Sequence, residues 1–221
     1  MRFFLWSILL LAAAEAYSQP LIVKKTADFT INGKGNASEW NKTEWLTIEN
    51  REGKKNYVTK VKLLYSDSGI YCLFHNTDDK ITSVMSEDFS DLWKEDVNEI
   101  FLWTDEKNSI YFEYEISPRN FELPIIVPNI NGKFLGWRPW HYEGSRKVNH
   151  ATDIQGNAWT AEFFIPYKLL MPLANVPPTK GTTWRCNFYR IDHDDGETEW
   201  SWQPVKTNFH DYKRFGTLKF E

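Results

Sequence analysis

Residues 57–65, with the sequence YVTKVKLLY, alternate between apolar and polar side chains. Val61 and Leu63 share one face with the two flanking tyrosines, whereas Lys60 and Lys62 share the other face. This two-residue period is typical of a β-strand that has one face in the core and one face toward solvent. The stretch therefore predicts a strand of a layered β-fold.

The same period recurs farther along the chain. Four apolar residues alternate with a more polar set in one segment: Ile110, Phe112, Tyr114 and Ile116 against Tyr111, Glu113, Glu115 and Ser117. Residues 159–165 repeat the pattern, and turn-forming residues such as 66–69 separate the runs. We predict an all-β fold, a two-sheet antiparallel β-sandwich of the jelly-roll or immunoglobulin-like kind. Few short helices are expected, the clearest at 167–170, and the weakly patterned residues 119–150 are expected to form long loops.

The composition is that of a globular chain. Of 221 residues, 42 % are hydrophobic and 25 % are charged, and the aromatic residues comprise 11 Trp, 10 Tyr and 15 Phe. The length fits a single domain, because all-β domains often reach ~200 residues. A net charge of −4 provides no basic surface for nucleic acid. Since Trp is rarely buried completely, such a high Trp content indicates that some of these rings have a surface role.

The first 18 residues, MRFFLWSILLLAAAEAYS, are typical of an export signal. Arg2 gives a positive start, and residues 3–14 form an apolar run that is too short to span a bilayer. Small residues then offer cleavage after Ala16 or Ser18, and the alternative is an uncleaved anchor. We predict a signal peptide at 1–18, a single domain at 19–221 without a membrane span, and a secreted or periplasmic location.

Cys72 and Cys186 are the two cysteines of the chain. Export makes a disulfide between them chemically feasible. Both also lie in strand-like runs, where a buried free thiol is equally natural. The sequence leaves both states open.

Seven segments follow one another along the chain: 29–40 (FTINGKGNASEW), 61–65 with 69–71 (VKLLY and GIY), 92–101 (LWKEDVNEIF), 114–118 (YEISP), 159–166 (WTAEFFIP), 184–190 (WRCNFYR), and 200–204 with 209–216 (WSWQP and FHDYKRFG). In this order they resemble the motifs of carbohydrate-binding module family 9, which belongs to the DOMON-like superfamily. Each segment alone is a weak signal, but the ordered set is specific. The resemblance implies a β-sandwich that binds sugars and performs no chemistry itself.

The resemblance also implies a binding site. Members of the family hold a terminal sugar ring between two aromatic side chains while polar groups bind the hydroxyls. By this resemblance, Trp93 and Phe209 are the aromatic pair, and Glu99 accepts hydrogen bonds from hydroxyls. Glu115 stands where the family has an arginine, and Ser117 stands where it has an asparagine. We expect a slot between Trp93 and Phe209, lined by Glu99 and Glu115, that prefers a different pattern of sugar hydroxyls.

The chemistry of these residue types supports sugar binding. The C–H face of a pyranose stacks on an indole with little ordering cost, and a carboxylate accepts hydrogen bonds from two vicinal hydroxyls. Trp93 precedes a strand, so we expect it at a loop tip. Trp137 and Trp140 either extend the binding surface or pack their own loop. Arg190 is expected to pair with a buried acid.

The predicted function is a secreted, non-catalytic carbohydrate-binding protein in polysaccharide catabolism. Its ligand is a poly- or oligosaccharide, and glycoside hydrolases are its candidate partners. One alternative is a glycoside hydrolase that cleaves O-glycosyl bonds with two carboxylates among Glu99, Glu113 and Glu115. Another is a haem-binding DOMON-like domain that uses His75 and Met85. Loss of the family's arginine also leaves open a protein partner in place of sugar.

The sequence makes no cofactor certain. The family often carries a structural calcium ion near its opening motif, but Asn32, Ala37 and Ser38 weaken a carboxylate cage there. The runs 78–79 and 192–195 are alternative clusters of oxygen ligands. A structural calcium ion therefore stays open.

Overall fold

The computed structural model describes residues 19–53, 55–130, 133–140 and 143–221. The predicted signal peptide, residues 1–18, lies outside the described residues. The strands are β1 Leu21–Lys25, β2 Leu46–Asn50, β3 Thr59–Tyr65, β4 Gly69–Thr77, β5 Val97–Trp103, β6 Ile110–Ile116, β7 Glu122–Ile130, β8 Lys133–Phe134, β9 Arg138–Pro139, β10 Asn149–Gln155, β11 Ala158–Pro166, β12 Thr183–Asp192, β13 Thr198–Ser201 and β14 Gly216–Phe220.

Helical structure is sparse. The predicted helix is confirmed as α1, Tyr167–Leu170, and short 3-10 turns occur at Ser38–Lys42, Leu92–Lys94, Gly144–Arg146 and Tyr212–Arg214. In the described part of the chain, no helix has the length and apolar character needed to cross a membrane.

The strands form two layers. The first sheet has the order β14-β12-β5-β6-β7 and the second has the order β10-β11-β4-β3, with antiparallel neighbours inside each. β1 and β2 connect the two layers, because each pairs with strands of both. β1 pairs in parallel with β14 and then with β3, and β2 pairs with β13 and β3. The prediction of an all-β sandwich is confirmed.

The predicted alternation sets the core between the sheets. Val61 and Leu63 of β3 point inward, and Phe112, Tyr114 and Ile116 of β6 meet them from the other sheet. All five are buried. Because each large apolar side chain contributes roughly 1.5–3 kcal/mol when it leaves water, this layer is the main source of stability.

The prediction of long loops was wrong for part of residues 119–150, which contain the nine-residue strand β7. Pro124 and Pro128 mask the strand signal, because proline has no N–H to donate to a sheet. Their carbonyls still accept hydrogen bonds, from the Trp140 N–H at 2.8 Å and the Leu135 N–H at 3.2 Å. The strand forms because its pairing with β6 tolerates both prolines.

Both cysteines are buried free thiols, Cys72 on β4 and Cys186 on β12. Burial raises the pKa of each thiol. Of the two states that the sequence leaves open, the structure has the free one.

The opening loop wraps around one buried carboxylate. Glu162 of β11 accepts hydrogen bonds from the backbone N–H groups of Asn32 (3.0 Å) and Gly33 (2.8 Å) and from Trp40 Nε1 (2.7 Å). Gly33 has a φ of 83°, which favours a residue without a Cβ. The motifs at 29–40 and 159–166 are therefore two halves of a single contact.

Polar contacts join the sheets at one end of the core. Arg190 of β12 is fully buried and pairs with Asp78 at 2.9 Å and with Asp192 at 2.7 Å. Its Nη1 also donates to the Thr77 carbonyl at 2.8 Å. Since Thr77 belongs to the second sheet, Arg190 ties the layers together, and its predicted pairing with a buried acid is confirmed.

Arg190→Ala is expected to lower the free energy of unfolding by about 3–5 kcal/mol, because the partner carboxylates stay buried without a counter-charge. Urea denaturation measures this change. Lys25→Ala is the matched control, since it removes a cation from an exposed ion pair with Asp67 and is expected to have little effect. Equal changes in the two variants would contradict the assigned role of Arg190.

Candidate functional site

A cavity of about 320 Å³ lies on the outer face of the first sheet. Its floor is the face of β5 and β6 that points away from the core between the sheets. Carboxyl groups and rings dominate the wall. The carboxyls are Glu99, Glu113, Glu115, Glu197 and Glu199, and the rings include Trp93, Phe101, Phe134, Trp137, Phe209 and His210. The volume falls at the lower end of the range for small-ligand sites, ~300–1,000 Å³.

Strand geometry places the three inner carboxyls side by side. Glu113 and Glu115 are two residues apart on β6, so they share a face. Glu99 of β5 lies directly opposite Glu115 in the antiparallel register. The alternation in β6 therefore sends Phe112 and Tyr114 into the core and the glutamates into the cavity.

The inner carboxyls favour the protonated form. Burial raises the pKa of Glu99 to about 8. Burial, and then repulsion from the neighbouring carboxyls, raises the pKa of Glu113 and of Glu115 well above the usual range. The Oε2 atoms of Glu113 and Glu115 have no hydrogen-bond partner among the described residues. The floor of the cavity thus holds acid groups whose hydrogen-bonding capacity is not fully used within the chain.

Trp93 is exposed at the rim of the cavity. It lies in the 3-10 turn Leu92–Lys94 just before β5, with 41 % of its surface accessible. The Lys94 ammonium lies 4.8 Å from the centre of the ring, and the Trp93 carbonyl is 3.3 Å from His193 Nε2. Trp93 is at a loop tip, as its sequence position predicts, and its indole is available to a ligand.

Phe209 lines the cavity but is only 8 % exposed. Its ring stacks on Tyr189, with centroids 3.9 Å apart and an interplanar angle of 10°. The Arg51 guanidinium lies 5.7 Å from the centre of the same ring. Trp93 and Phe209 do border one cavity, but Tyr189 already covers one face of Phe209. Phe209 therefore acts as a fixed wall.

Ser117 lies outside the cavity wall. It follows β6, is fully buried, and its hydroxyl accepts the Phe121 N–H at 3.3 Å. Its carbonyl accepts the Asn120 N–H at 3.0 Å, which closes the β6–β7 turn. The structure brings together four of the five predicted site residues, and Ser117 instead shapes a turn.

His210 is the main wall residue that the sequence analysis missed. Its Nδ1 lies 2.8 Å from the Tyr111 hydroxyl and 3.8 Å from Glu113 Oε2, and its ring stacks on Phe134 with centroids 4.3 Å apart. Burial lowers the pKa of His210 to about 4, so its ring is neutral near neutral pH. No periodic pattern marks residues 207–211, whereas Glu113 was accessible to prediction from its alternation with Phe112 and Tyr114.

Comparison with known proteins identifies the family. The model described as "Carbohydrate family 9 binding domain-like" matches residues 31–221. The chain belongs to this family. The match covers the whole sandwich after β1, including every residue of the cavity wall.

Solved structures share the fold of this family 9 domain. A putative carbohydrate-binding protein from Bacteroides uniformis ATCC 8492 superposes with a TM-score of 0.77 at 19 % identity, covering 92 % of this chain and 99 % of that one. A family 9 carbohydrate-binding module from Caldicellulosiruptor kristjanssonii, in complex with cellotriose, gives a TM-score of 0.70 at 18 % identity, covering 92 % of this chain and 94 % of that one.

A sequence relative is known from a fungus. A protein of Arthroderma benhamiae (strain ATCC MYA-4681 / CBS 112371) named "Extracellular protein" is 27 % identical over 143 residues, which are 60 % of this chain. The match spans 62 % of that relative, which is less than two thirds of its length.

The two candidate haem ligands lie on opposite sides of this family 9 domain. His75 is on the outer face of the second sheet, where its ring lies 6.1 Å from that of Trp45. Met85 packs against the apolar cluster on the outer face of the first sheet. The structure does not bring the two side chains together.

A cluster of buried carboxyls fits the chemistry of a calcium ion. Among the described residues, Asp78, Asp96 and Asp194 each offer an oxygen within 4.8 Å of the others. Two of them come from the acidic runs noted in the sequence. Burial raises the pKa of Asp78 to about 7 and that of Asp96 to about 6, although Arg190 and Lys55 border the cluster. Hard oxygen ligands of this kind are what calcium prefers, and calcium binding stays a prediction.

If calcium binds there, millimolar calcium is expected to raise the melting temperature by several degrees relative to chelator, because a ligand that binds only the folded state stabilises it. Differential scanning fluorimetry measures this shift, and Asp96→Asn is expected to reduce it. Coincident melting curves with calcium and with chelator would exclude a stabilising ion.

The carboxyls of the cavity predict a pH dependence of stability. Glu99 keeps its proton up to about pH 8 in the folded state, but an unfolded glutamate releases it near its ordinary pKa of 4.5. The folded state thus binds more protons between these values, so its free energy of unfolding falls as the pH rises through this window. Unfolding in urea at about pH 5 and about pH 8 is expected to show this fall.

Glu99→Gln is expected to reduce the pH dependence by the share that Glu99 contributes, because glutamine does not titrate. Glu87→Gln makes the same substitution at an exposed position before β5 and serves as the control. If Glu99→Gln and the native protein lose the same stability across this window, the raised pKa of Glu99 is wrong.

Proposed function

We propose that this protein is a non-catalytic carbohydrate-binding protein that holds a terminal sugar of a glycan in the cavity on the first sheet. One observation carries the proposal: an exposed indole at the rim and buried carboxyls on the floor face the same cavity. A sugar ring needs this combination, because it presents both a C–H face and a set of hydroxyls. Membership of the carbohydrate family and the fold shared with a cellotriose-bound module support the proposal.

Different wall residues contact different parts of the sugar. The Trp93 ring takes the C–H face of the sugar, and Phe209 limits the depth to which the ring enters. Glu99 and Glu115 hydrogen-bond to hydroxyls. Because a hydroxyl both donates and accepts, it can pair with a carboxylate or with a protonated carboxyl. The mixture of protonation states that follows from the raised pKa values is therefore compatible with sugar binding.

We infer that the protein is exported and acts beside glycoside hydrolases in polysaccharide catabolism. The composition of residues 1–18 supports export, and so does the name of the fungal relative. In this role the cavity keeps the protein on a glycan, and partner enzymes cleave it.

Trp93→Ala is expected to weaken binding of cello-oligosaccharides at least tenfold, or about 1.4 kcal/mol, because it removes the stacking surface. Isothermal titration calorimetry with cellotriose and a wider glycan panel measures the loss. Trp45→Ala is a matched control, because Trp45 is similarly exposed (38 % against 41 % for Trp93) but lies with Lys60 and Lys62 on the second sheet.

Unchanged affinity in Trp93→Ala, with or without a loss in Trp45→Ala, would show that the sugar binds elsewhere. Flat titrations on every glycan would favour a protein partner. Release of soluble sugar from a polysaccharide panel would replace the non-catalytic proposal with a glycoside hydrolase that uses the inner carboxyls.

A further inference from the structure

The carboxyl groups around the cavity differ in whether a basic side chain lies beside them. Glu199, toward the outside, forms an ion pair with Arg51. The inner carboxyls lack such a partner: in the described part of the chain, the basic group nearest to them is His210, 3.8 Å from Glu113. Burial keeps His210 neutral near pH 7. No lysine or arginine is among the described wall residues.

Two buried carboxyl oxygens on the floor of the cavity have no hydrogen-bond partner within the described part of the chain. Glu113 is 4 % exposed and Glu115 is 1 % exposed. Their Oε2 atoms have no hydrogen-bond partner among the described residues. Buried polar atoms are nearly always paired in folded proteins, so two unpaired carboxyl oxygens beside a cavity point to polar groups on a ligand.

The arrangement favours an organic cation over a metal ion. The described carboxylates whose oxygens all converge within 4.8 Å are Asp78, Asp96 and Asp194, not the glutamates of the cavity. The glutamates instead spread over two strands beneath aromatic rings. An ammonium group has three N–H donors and no acceptor, which matches carboxyl oxygens that have given up their protons to become acceptors only. Aromatic rings such as that of Trp93 also attract cations through their faces.

We propose that the sugar bound in this cavity carries an ammonium group, as in the terminal residue of a 2-amino-2-deoxy-hexose oligomer. The inference rests on the proposed function and names its ligand class. The Trp93 ring stacks on the sugar, and the ammonium group donates to Glu113 and Glu115. Without a ligand these carboxyls hold their protons. The ammonium group displaces a proton from the floor, and its charge then balances that of the carboxylate it contacts.

The test compares three trisaccharides that differ at one substituent. Calorimetry on the full chain uses a fully deacetylated glucosamine trimer, the N-acetylated trimer and cellotriose, near pH 6 so that the amine is protonated. We expect the glucosamine trimer to bind at least tenfold more tightly than either neutral trimer. Since salt screens exposed charges more than buried ones, this preference is expected to persist at 0.5 M NaCl if the ammonium contact is buried.

Variants separate a specific contact from general attraction to an acidic protein. Glu113→Gln and Glu115→Gln are each expected to reduce the preference for the glucosamine trimer about tenfold. In Glu113→Gln, cellotriose affinity is expected to change much less, because the contacts to hydroxyls are assigned to Glu99 and Glu115. Glu87→Gln makes the same substitution at an exposed position and is expected to leave the preference intact.

The outcomes distinguish the two proposals. Equal or tighter binding of cellotriose or the N-acetylated trimer overturns the amino-sugar inference and leaves sugar binding in place. A preference that vanishes at 0.5 M NaCl, or that Glu87→Gln reduces as much as Glu113→Gln does, also overturns it. If these trimers and the wider glycan panel all fail to bind, the proposed function fails as well.

Discussion

The two-residue period of β5 and β6 is the constraint on which both the core and the site depend. In each strand, one set of side chains enters the core between the sheets, and the intervening set faces the cavity. A shift of register by one residue would therefore move Glu113 and Glu115 into the core and Phe112 and Tyr114 into the cavity. The stability of the sandwich and the position of the acids are consequences of the same alternation.

Burial of three neighbouring carboxyls costs free energy that the rest of the fold must offset. The aromatic core between the sheets and the contacts of Arg190 with both sheets supply the stabilising free energy that offsets this cost. The loops that carry Trp93 and Phe209 cover the outer face of the first sheet, so this sheet is buried on both sides. Proteins often depart from local rules where they bind ligands, and the acidic floor of the cavity is such a departure.

The sequence was sufficient for the sandwich and for α1, because period and turn chemistry are local signals. Four of the five expected site residues border one cavity, and their role in binding stays a prediction. The sequence was insufficient for β7, since Pro124 and Pro128 conceal a strand whose existence depends on pairing with β6. It also placed Phe209 as a free stacking surface, whereas Tyr189, twenty residues earlier, covers one of its faces. A periodic pattern reports local structure, so it does not predict contacts between distant segments such as that of His210 with Tyr111.

The identity of residue 115 decides the electrostatic character of the cavity. The family resemblance places an arginine there, and such a side chain would compensate Glu99 on the opposite strand. Glu115 instead puts like charges directly across an antiparallel pair, an arrangement that destabilises a sheet. Glutamate at this position removes the positive charge of an arginine and adds a titratable acid. The folded state tolerates the pair by holding protons on the carboxyls, and a ligand that brings its own positive charge removes the need for them.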